Sequence, residues 1–370
     1  MASDFVQDRL PDLPDRKVTY DQPPPPAPRL SSGGPEDGAR MFCGEAVRPG
    51  VGPGVLVSAT RVWRDGKQMI TDVDSVFPAG AAAAMCPQPP PEQLSVSARL
   101  WTAASSVTML VVGAGAKFLL RGINTTVVHG SHNLDTIFRE DAERRPVVSV
   151  INHHSCFDDP GLWGAVLSPA QLLDTRHMRW GASASEVIFS SRPLETFWKL
   201  GKVVPIVRGW GVHQPAMDFL LDKLNRGGWV NIFPEGKVTV TEAGLGSFRW
   251  GVGRLIWDCD TAPTLLPVLH CGMDSVLPNP ASASDPQPCV VRPGNLVTVN
   301  IGPPEDLRPL VAELRARGVE AAEARQLLTA HVAAVMARLH RETRDLHRSN
   351  ISRWLRRWHD TTDLVPSLMT

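Results

Sequence analysis

Residues 146–160 read PVVSVI and then NHHSCFDDP, a short β-branched run that passes directly into a cluster of ionisable side chains. Four similar runs follow at helical distances: VVPIV (203–207), WVNIF (229–233), TLLPVL (264–269) and LVTVNI (296–301). Strands alternating with helix-length segments predict βαβ units and an α/β fold, a mixed sheet flanked by helices. Helices are expected over 160–166, 185–200, 214–224, 251–257 and, longest, 305–346. In the last, Leu307, Leu310, Val311 and Leu314, and then Leu328, Val332, Val335, Met336 and Leu339, recur at helical spacing. Folds of this class place their sites beyond the carboxyl ends of the strands, which is where NHHSCFDDP falls.

His153 and Asp158 are five residues apart, about 140° around a regular helix, so only a turn into a helix N-terminus brings them together. A carboxylate there can hold one ring nitrogen and leave the other to take a proton, a base-and-orienter pair. His154 and Asp159 have the same offset, and spacing alone does not choose between the pairs. The compressed spacing, with no distant ligand cluster, argues against a metal. Cys156 reads as a packed thiol rather than a nucleophile. Ser155 or backbone N–H groups at the helix start are the expected oxyanion donors. A second polar strand end is Phe233-Pro234-Glu235-Gly236-Lys237, where Glu and Lys can receive hydroxyl and phosphate groups. A third, at 201–209, ends on Arg208, a residue type suited to phosphate. Three such ends can converge on one phosphorylated substrate.

The 370 residues carry 38 basic and 38 acidic side chains, so no global field attracts nucleic acid. Six cysteines without a C-x-x-C pair exclude a disulfide scaffold and zinc-ribbon chemistry. Eleven Trp against one Tyr hint at a membrane interface. Of the 33 prolines, 15 precede residue 95, and residues 1–94 are expected to be a disordered extension, with Met85 as an alternative start. Asp4, Asp8, Asp12, Asp15 and Asp21 outnumber Arg9, Arg16 and Lys17, which argues against a mitochondrial presequence. The uncharged run Leu100–Ala116, flanked by Arg99, Lys117 and Arg121, reads as a membrane anchor, either a marginal span or an interfacial helix. Residues 347–370 form a basic tail in which Ile351, Trp354, Leu355 and Trp358 share one helical face beside Arg353, Arg356 and Arg357.

NHHSCFDDP resembles the N-H-x-S-x-x-D form of the His-x4-Asp motif of the glycerolipid acyltransferases. PIVRG (205–209), FPEGK (233–237) and LLPVLH (265–270) are similar to that family's later blocks, in order. Longer stretches resemble its phospholipid-lysophospholipid transacylases: SCFDDPGLWG, MRW at 178–180, AMDFLLDKLNRGGWVNIFPEGKV, FRWGVGRLIWDC and GMDSVLPN. The similarity covers residues 97–345. It implies a glycerol-3-phosphate acyltransferase-like fold and a catalytic domain over 97–346. It also assigns the catalytic roles to His153 and Asp158, and substrate binding to Ser155, Arg208, Phe233, Pro234, Glu235 and Gly236. Position 154, usually Gln in this setting, is His. No cofactor and no metal are implied.

The implied reaction moves an acyl chain from a phospholipid to a lysophospholipid such as monolysocardiolipin, without CoA, at mitochondrial membranes facing the intermembrane space. The alternative is an acyl-CoA-dependent lysophospholipid or glycerol-3-phosphate acyltransferase using the same pair. A non-catalytic membrane-binding protein would need only the apolar and Arg/Trp segments. The resemblance further implies a second, interfacial membrane segment at about 250–269, which Arg254, Asp258, Asp260, Pro263 and Pro267 forbid from spanning. The implied partners are the lipid substrates and the membrane surface, with no nucleic acid.

Overall fold

A computed structural model describes residues 61–64, 67–70, 82, 85, 95–138, 145–185, 191–239, 244–279 and 290–362. In chain order these form β1 (Arg61–Arg64), β2 (Lys67–Ile70), α1 (Val96–Lys117), β3 (Thr125–His129), α2 (Asp135–Phe138), β4 (Val147–Ile151), α3 (Asp158–Val166) and α4 (Pro169–Leu173). Then come β5 (Gly181–Ala184), α5 (Arg192–Leu200), β6 (Val203–Ile206), α6 (Pro215–Asn225), β7 (Trp229–Ile232), α7 (Gly251–Trp257) and β8 (Thr264–Cys271). The remaining elements are α8 (Met273–Val276), β9 (Leu296–Ile301), β10 (Glu305–Asp306), α9 (Arg308–Ala316) and α10 (Ala321–Thr362).

The main sheet runs β3-β9-β8-β4-β7, with β10 antiparallel on β8. β4 is parallel to both β7 and β8, β3 is parallel to β9, and only the β8–β9 pair within the row is antiparallel. A parallel bridge between Trp180 and Val230 continues the row from β7 to the parallel pair β5–β6. The carboxyl ends of β4, β7, β8 and β6 therefore open on one edge, and the three polar strand ends seen in the sequence lie along it.

The central strands are apolar on both sides because both faces are covered. Val148 and Val150 of β4, with Leu265 and Leu269 of β8, enter a core shared with α6, α7, α9 and α10. Val147 and Ile151, with Leu266 and Val268, enter a second core under α3 and α4. This corrects one expectation: 250–269 is no interfacial segment. Val252, Leu255, Ile256, Leu265, Leu266, Val268 and Leu269 are at most 1 % exposed, so the apolar run belongs to α7 and a central strand.

The five β-branched runs are all strands; β5, Gly-Ala-Ser-Ala, has no β-branched or bulky residue to mark it, and β3, Thr-Thr-Val-Val-His, is a further β-branched strand that was not expected. The long helix expected over 305–346 is two, because Gly318 takes a left-handed φ of 66° just past α9. α10 then runs unbroken through the start of the basic tail to Thr362, and residues 363–370 lie outside the described residues. Most of residues 1–94 also lie outside them. Those described there form the β1–β2 hairpin and include Met85, which is buried in the main core with its carbonyl accepting from Lys202 Nζ.

α1 extends the expected 100–116 anchor at both ends and continues into a π-turn at Phe118–Gly122. Ser105, Ser106, Gly113, Ala116 and Lys117 face the domain. Ser105 Oγ donates to Leu200 O, Ser106 Oγ to Leu173 O and Lys117 Nζ to Leu167 O. Val96, Leu100, Val107, Val111 and Phe118 form an exposed stripe along the opposite side. It is the one helix among the described residues that is long and apolar enough to cross a membrane, and its small-residue face is docked on protein.

Candidate active site

β4 ends at Ile151, and a tight turn over 152–157 leads into α3, whose first residue is Asp158. Amides of the turn bind an anion, and the first helical residue supplies it. His154 N–H and Ser155 N–H donate to Asp158 Oδ2 at 2.6 and 2.8 Å, and His153 Nδ1 lies 3.0 Å from the same oxygen. The turn thus joins His153 to Asp158. Asp159 instead pairs with Arg179 and accepts from Asn231 Nδ2 at 3.1 Å.

Asp158 is fully buried, which opposes its ionisation. The His270 charge, with the hydrogen bond from His153, outweighs burial and holds its carboxyl well below the usual carboxylate range. An ionised Asp158 can only accept, so His153 Nδ1 carries the proton and Nε2 is the basic nitrogen. The His153 side chain is 22 % exposed, and its ring stacks on Phe233 at 4.3 Å between centroids. The ring is fixed on one edge and one face and is open toward solvent.

The FPEGK turn grips the backbone of the same residue. Glu235 is buried; its Oε1 accepts from His153 N–H at 3.1 Å and its Oε2 from Gly246 N–H at 3.0 Å. Thr239 N–H donates to His153 O at 2.7 Å, while buried Pro234 accepts from Arg249 N–H. This corrects the reading of Glu235 as a receiver of substrate hydroxyls: it is a strut between two loops. Gly236, beside it, is exposed with Lys237 and Arg249.

A second correction concerns the oxyanion donors. Ser155 is buried, its Oγ donates to Leu277 O at 2.8 Å and accepts from Phe157 N–H, and Asp158 N–H turns back to Ser155 O. The amides of 153, 154, 155, 157 and 158 are thereby engaged within the protein, and the turn binds its own carboxylate in place of a substrate oxyanion. Arg208 is exposed at the end of β6. In the extended row β6 is three strand positions from β4, roughly 14 Å at normal strand spacing. Cys156 is exposed, but partial burial of its thiol and the Asp158 charge push its pKa up, away from a thiolate nucleophile. Among the described residues no group of three or more His, Cys, Asp or Glu side chains is arranged to hold a metal.

Several supporting residues escaped the sequence reading. Trp229 Nε1–H donates to Ser149 Oγ, which hydrogen-bonds Asn231, whose amide reaches Asp159 and so Arg179. Ser149 and Asn231 interrupt otherwise apolar strand runs, and a polar residue inside a buried strand signals a partner. His270, ending β8 on the same edge, is buried against Asp158, with Nε2 3.3 Å from Oδ1.

His154 differs from its neighbour. Burial, with the positive charge of His270 adding to it, pushes the His154 imidazole down to about 4 from 6.5. An unfolded imidazole takes a proton below about pH 6.5 while the folded one does not, so stability falls as pH drops from 6.5 toward 4. The loss reaches up to about 3 kcal/mol. His154→Gln removes this contribution. Its Tm is expected to fall less than that of the wild type between pH 7 and pH 5, with acyl transfer retained. Equal slopes in thermal melts would refute this account.

The chain is similar to known acyltransferases and their relatives. The family model described as acyltransferase matches residues 125–270, from β3 to His270. The chain is 34 % identical over 283 residues to tafazzin of Drosophila melanogaster, covering 76 % of this chain and 69 % of that one. It is 36 % identical over 173 residues to taffazin of Dictyostelium discoideum (45 % and 60 %). It is 30 % identical over 199 residues to N-acylphosphatidylethanolamine synthase of Arabidopsis thaliana (54 % and 69 %). The acyltransferase match, with a relative 34 % identical and covered over 69 % of its length, means that the chain belongs to the glycerolipid acyltransferases and is an acyltransferase enzyme.

Proposed function

We propose that this acyltransferase moves an acyl chain from a phospholipid directly to the free hydroxyl of a lysophospholipid, monolysocardiolipin foremost, without CoA. The observation that carries the reading is the His153 imidazole. Asp158 holds Nδ1, Phe233 covers one face, and Nε2 has no hydrogen-bond partner among the described residues. Nε2 takes the proton of the acceptor hydroxyl as its oxygen bonds to the donor's ester carbonyl carbon. The tetrahedral intermediate then expels the donor's glycerol oxygen, which recovers the proton from His153. One ester breaks, one forms, and no acyl-enzyme is needed. Arg208, with the exposed cations Lys237 and Arg249 along the same edge, would hold lipid phosphates. Positioning of two lipids supplies much of the acceleration.

Direct transfer is favoured over an acyl-CoA donor by the similarity to the tafazzins. The same similarity suggests a mitochondrial membrane facing the intermembrane space. In this reading residues 97–346 are the catalytic domain and 347–370 a basic tail. α1 lies in one leaflet, its exposed stripe in lipid and its docked face on the domain, an interfacial helix rather than a span. Leu194 and Phe197 of α5, also exposed, extend that apolar surface. A second reading, with the amine of phosphatidylethanolamine as acceptor, is favoured by the similarity to the Arabidopsis synthase.

The test supplies bilayers containing acyl-labelled phosphatidylcholine, monolysocardiolipin and phosphatidylethanolamine to the purified protein, with no CoA. Label in cardiolipin is the expected result. Label appearing only when acyl-CoA is added would replace the reading by a CoA-dependent one, and label on the ethanolamine nitrogen would establish the second.

A further inference from the structure

His270 is a fully buried imidazole that the general-base reading leaves without a role. Its main chain and side chain both bind the β4 turn. His270 N–H donates to Asn152 Oδ1 at 2.9 Å, and Asn152 Nδ2 donates back to His270 O at 3.0 Å. The ring Nε2 then lies 3.2 Å from Asn152 O and 3.3 Å from Asp158 Oδ1. Asp158 thus sits between two imidazoles, with His153 and two amides on Oδ2 and the His270 ring 3.3 Å from Oδ1, which has no hydrogen-bond partner among the described residues. The second ring nitrogen of His270, Nδ1, is buried with no partner among the described residues. A ring used only to join β4 to β8 would not need this placement, because the Asn152 side chain already makes that tie with two hydrogen bonds to the His270 backbone.

We propose that His270 is a positioning residue of the transfer reaction: from beneath the site it balances the Asp158 carboxylate, so that Asp158 orients His153 without holding it as an imidazolium. The proposal rests on the general-base reading above. The physical reason is that an isolated buried carboxylate favours the charged form of whatever base it touches. A cation on its other oxygen removes much of that pull while keeping the hydrogen bond that sets the ring. The Asp158 charge keeps the His270 imidazole charged to a higher pH than usual, although burial opposes this. The other ionisable groups in reach are His153 and His154 at the end of β4, Asp274 on α8 and His340 on α10. Arg344 and His347 of α10 act on, or feel, neighbouring Cys271 and Asp274. Asp274 and Glu235, whose Oε1 accepts from His153 N–H at 3.1 Å, are the other acids around the pair, so loss of His270 would leave their carboxylates and that of Asp158 without the imidazole that faces Oδ1.

The experiment compares wild type, His270→Gln, Asp158→Asn and the double variant in the CoA-free bilayer assay over pH 5–9, after thermal melts and vesicle binding establish that each is folded. Glutamine keeps a donor near Asp158 without the charge. His270→Gln is expected to lower kcat roughly 10- to 100-fold, the usual cost of losing an outer partner of a site imidazole, with KM nearly unchanged. The acidic limb of its pH profile should move up by about one unit. Because His270 acts through Asp158, the double variant should be no slower than Asp158→Asn alone. Unchanged kcat and pH profile in His270→Gln, beside a disabled Asp158→Asn, would overturn the proposal and leave the general-base reading standing. An active Asp158→Asn would overturn both. Should His270→Gln fail to fold, titration of 15N-labelled histidines in the intact protein decides. A His270 ring protonated at pH 7 supports the proposal, and a neutral one overturns it.

Discussion

His153→Ala is expected to slow acyl transfer by at least about 10²-fold while leaving the fold and vesicle binding intact. No neighbour can take over. Asp158 is fully buried and ionised with its Oδ2 taken by His153 and two amides, His154 has a proton affinity too low and its Nε2 is buried, and His270 lies beneath the carboxylate with no exposed ring. Truncating His153 removes a partly exposed ring and leaves the backbone ties to Glu235 and Thr239 in place, so the loss is chemical rather than structural. Asp158→Asn would also be slow, but for mixed reasons. An amide cannot accept at once from His153, His154 N–H and Ser155 N–H and face His270, and removing one partner of a buried charge pair costs about 3–5 kcal/mol. His153→Ala is therefore the cleaner variant. It is checked by turnover in bilayers beside thermal melts and vesicle co-sedimentation, and activity within a few-fold of wild type would remove His153 from the chemistry.

The second large effect is expected where α1 crosses α3. A Cβ on Gly164 would lie 2.6 Å from Ala116 Cβ and 2.8 Å from the Gly113 carbonyl oxygen, backbone that cannot turn aside. Gly164→Val must push the two helices apart, at a cost of about 1–3 kcal/mol or more. In a domain of this size each kcal/mol lowers Tm by roughly 2–4 °C. Since α3 begins at Asp158, the same displacement reaches the site from its far end, and both Tm and turnover should fall. Gly115 supplies the contrast: nothing lies within 4 Å of its would-be Cβ. Gly115→Ala should be neutral or slightly stabilising, because alanine is the better helix former. If Gly164→Val melts with the wild type, the close helix crossing is wrong.

Five of the strands, and the strand edge that carries the polar cluster, followed from local pattern. β-branched runs of five or six residues between helix-length segments can hardly be anything else in a chain of this size, and a polar cluster at a strand end is costly unless it is used. Family motifs then supplied a register for the pair, though not its geometry. Spacing could not separate His153–Asp158 from His154–Asp159, because a five-residue offset only becomes a contact through the turn that joins β4 to α3. The structure gives Asp158 the turn amides of His154 and Ser155 and the His153 ring, and gives Asp159 an arginine brought from the segment before β5.

Residue type likewise could not say which polar groups face substrate. Ser155 and Glu235 have the right chemistry, and both are turned inward because unpaired backbone groups of adjoining loops, the Leu277 carbonyl and the amides of His153 and Gly246, needed partners more than solvent did. The runs over 250–269 and 100–116 were both expected at the membrane, but the first is closed between two helical layers and the second keeps an open apolar stripe. By itself the sequence determined the α/β class, the edge that carries the site and the residue types available there, since these depend on periodicity and short-range order. Which histidine meets which aspartate, which carboxylate is a strut, and that His270 lies under the pair were decided only by tertiary structure. They depend on contacts between residues up to 118 apart in the chain, where local pattern carries no information.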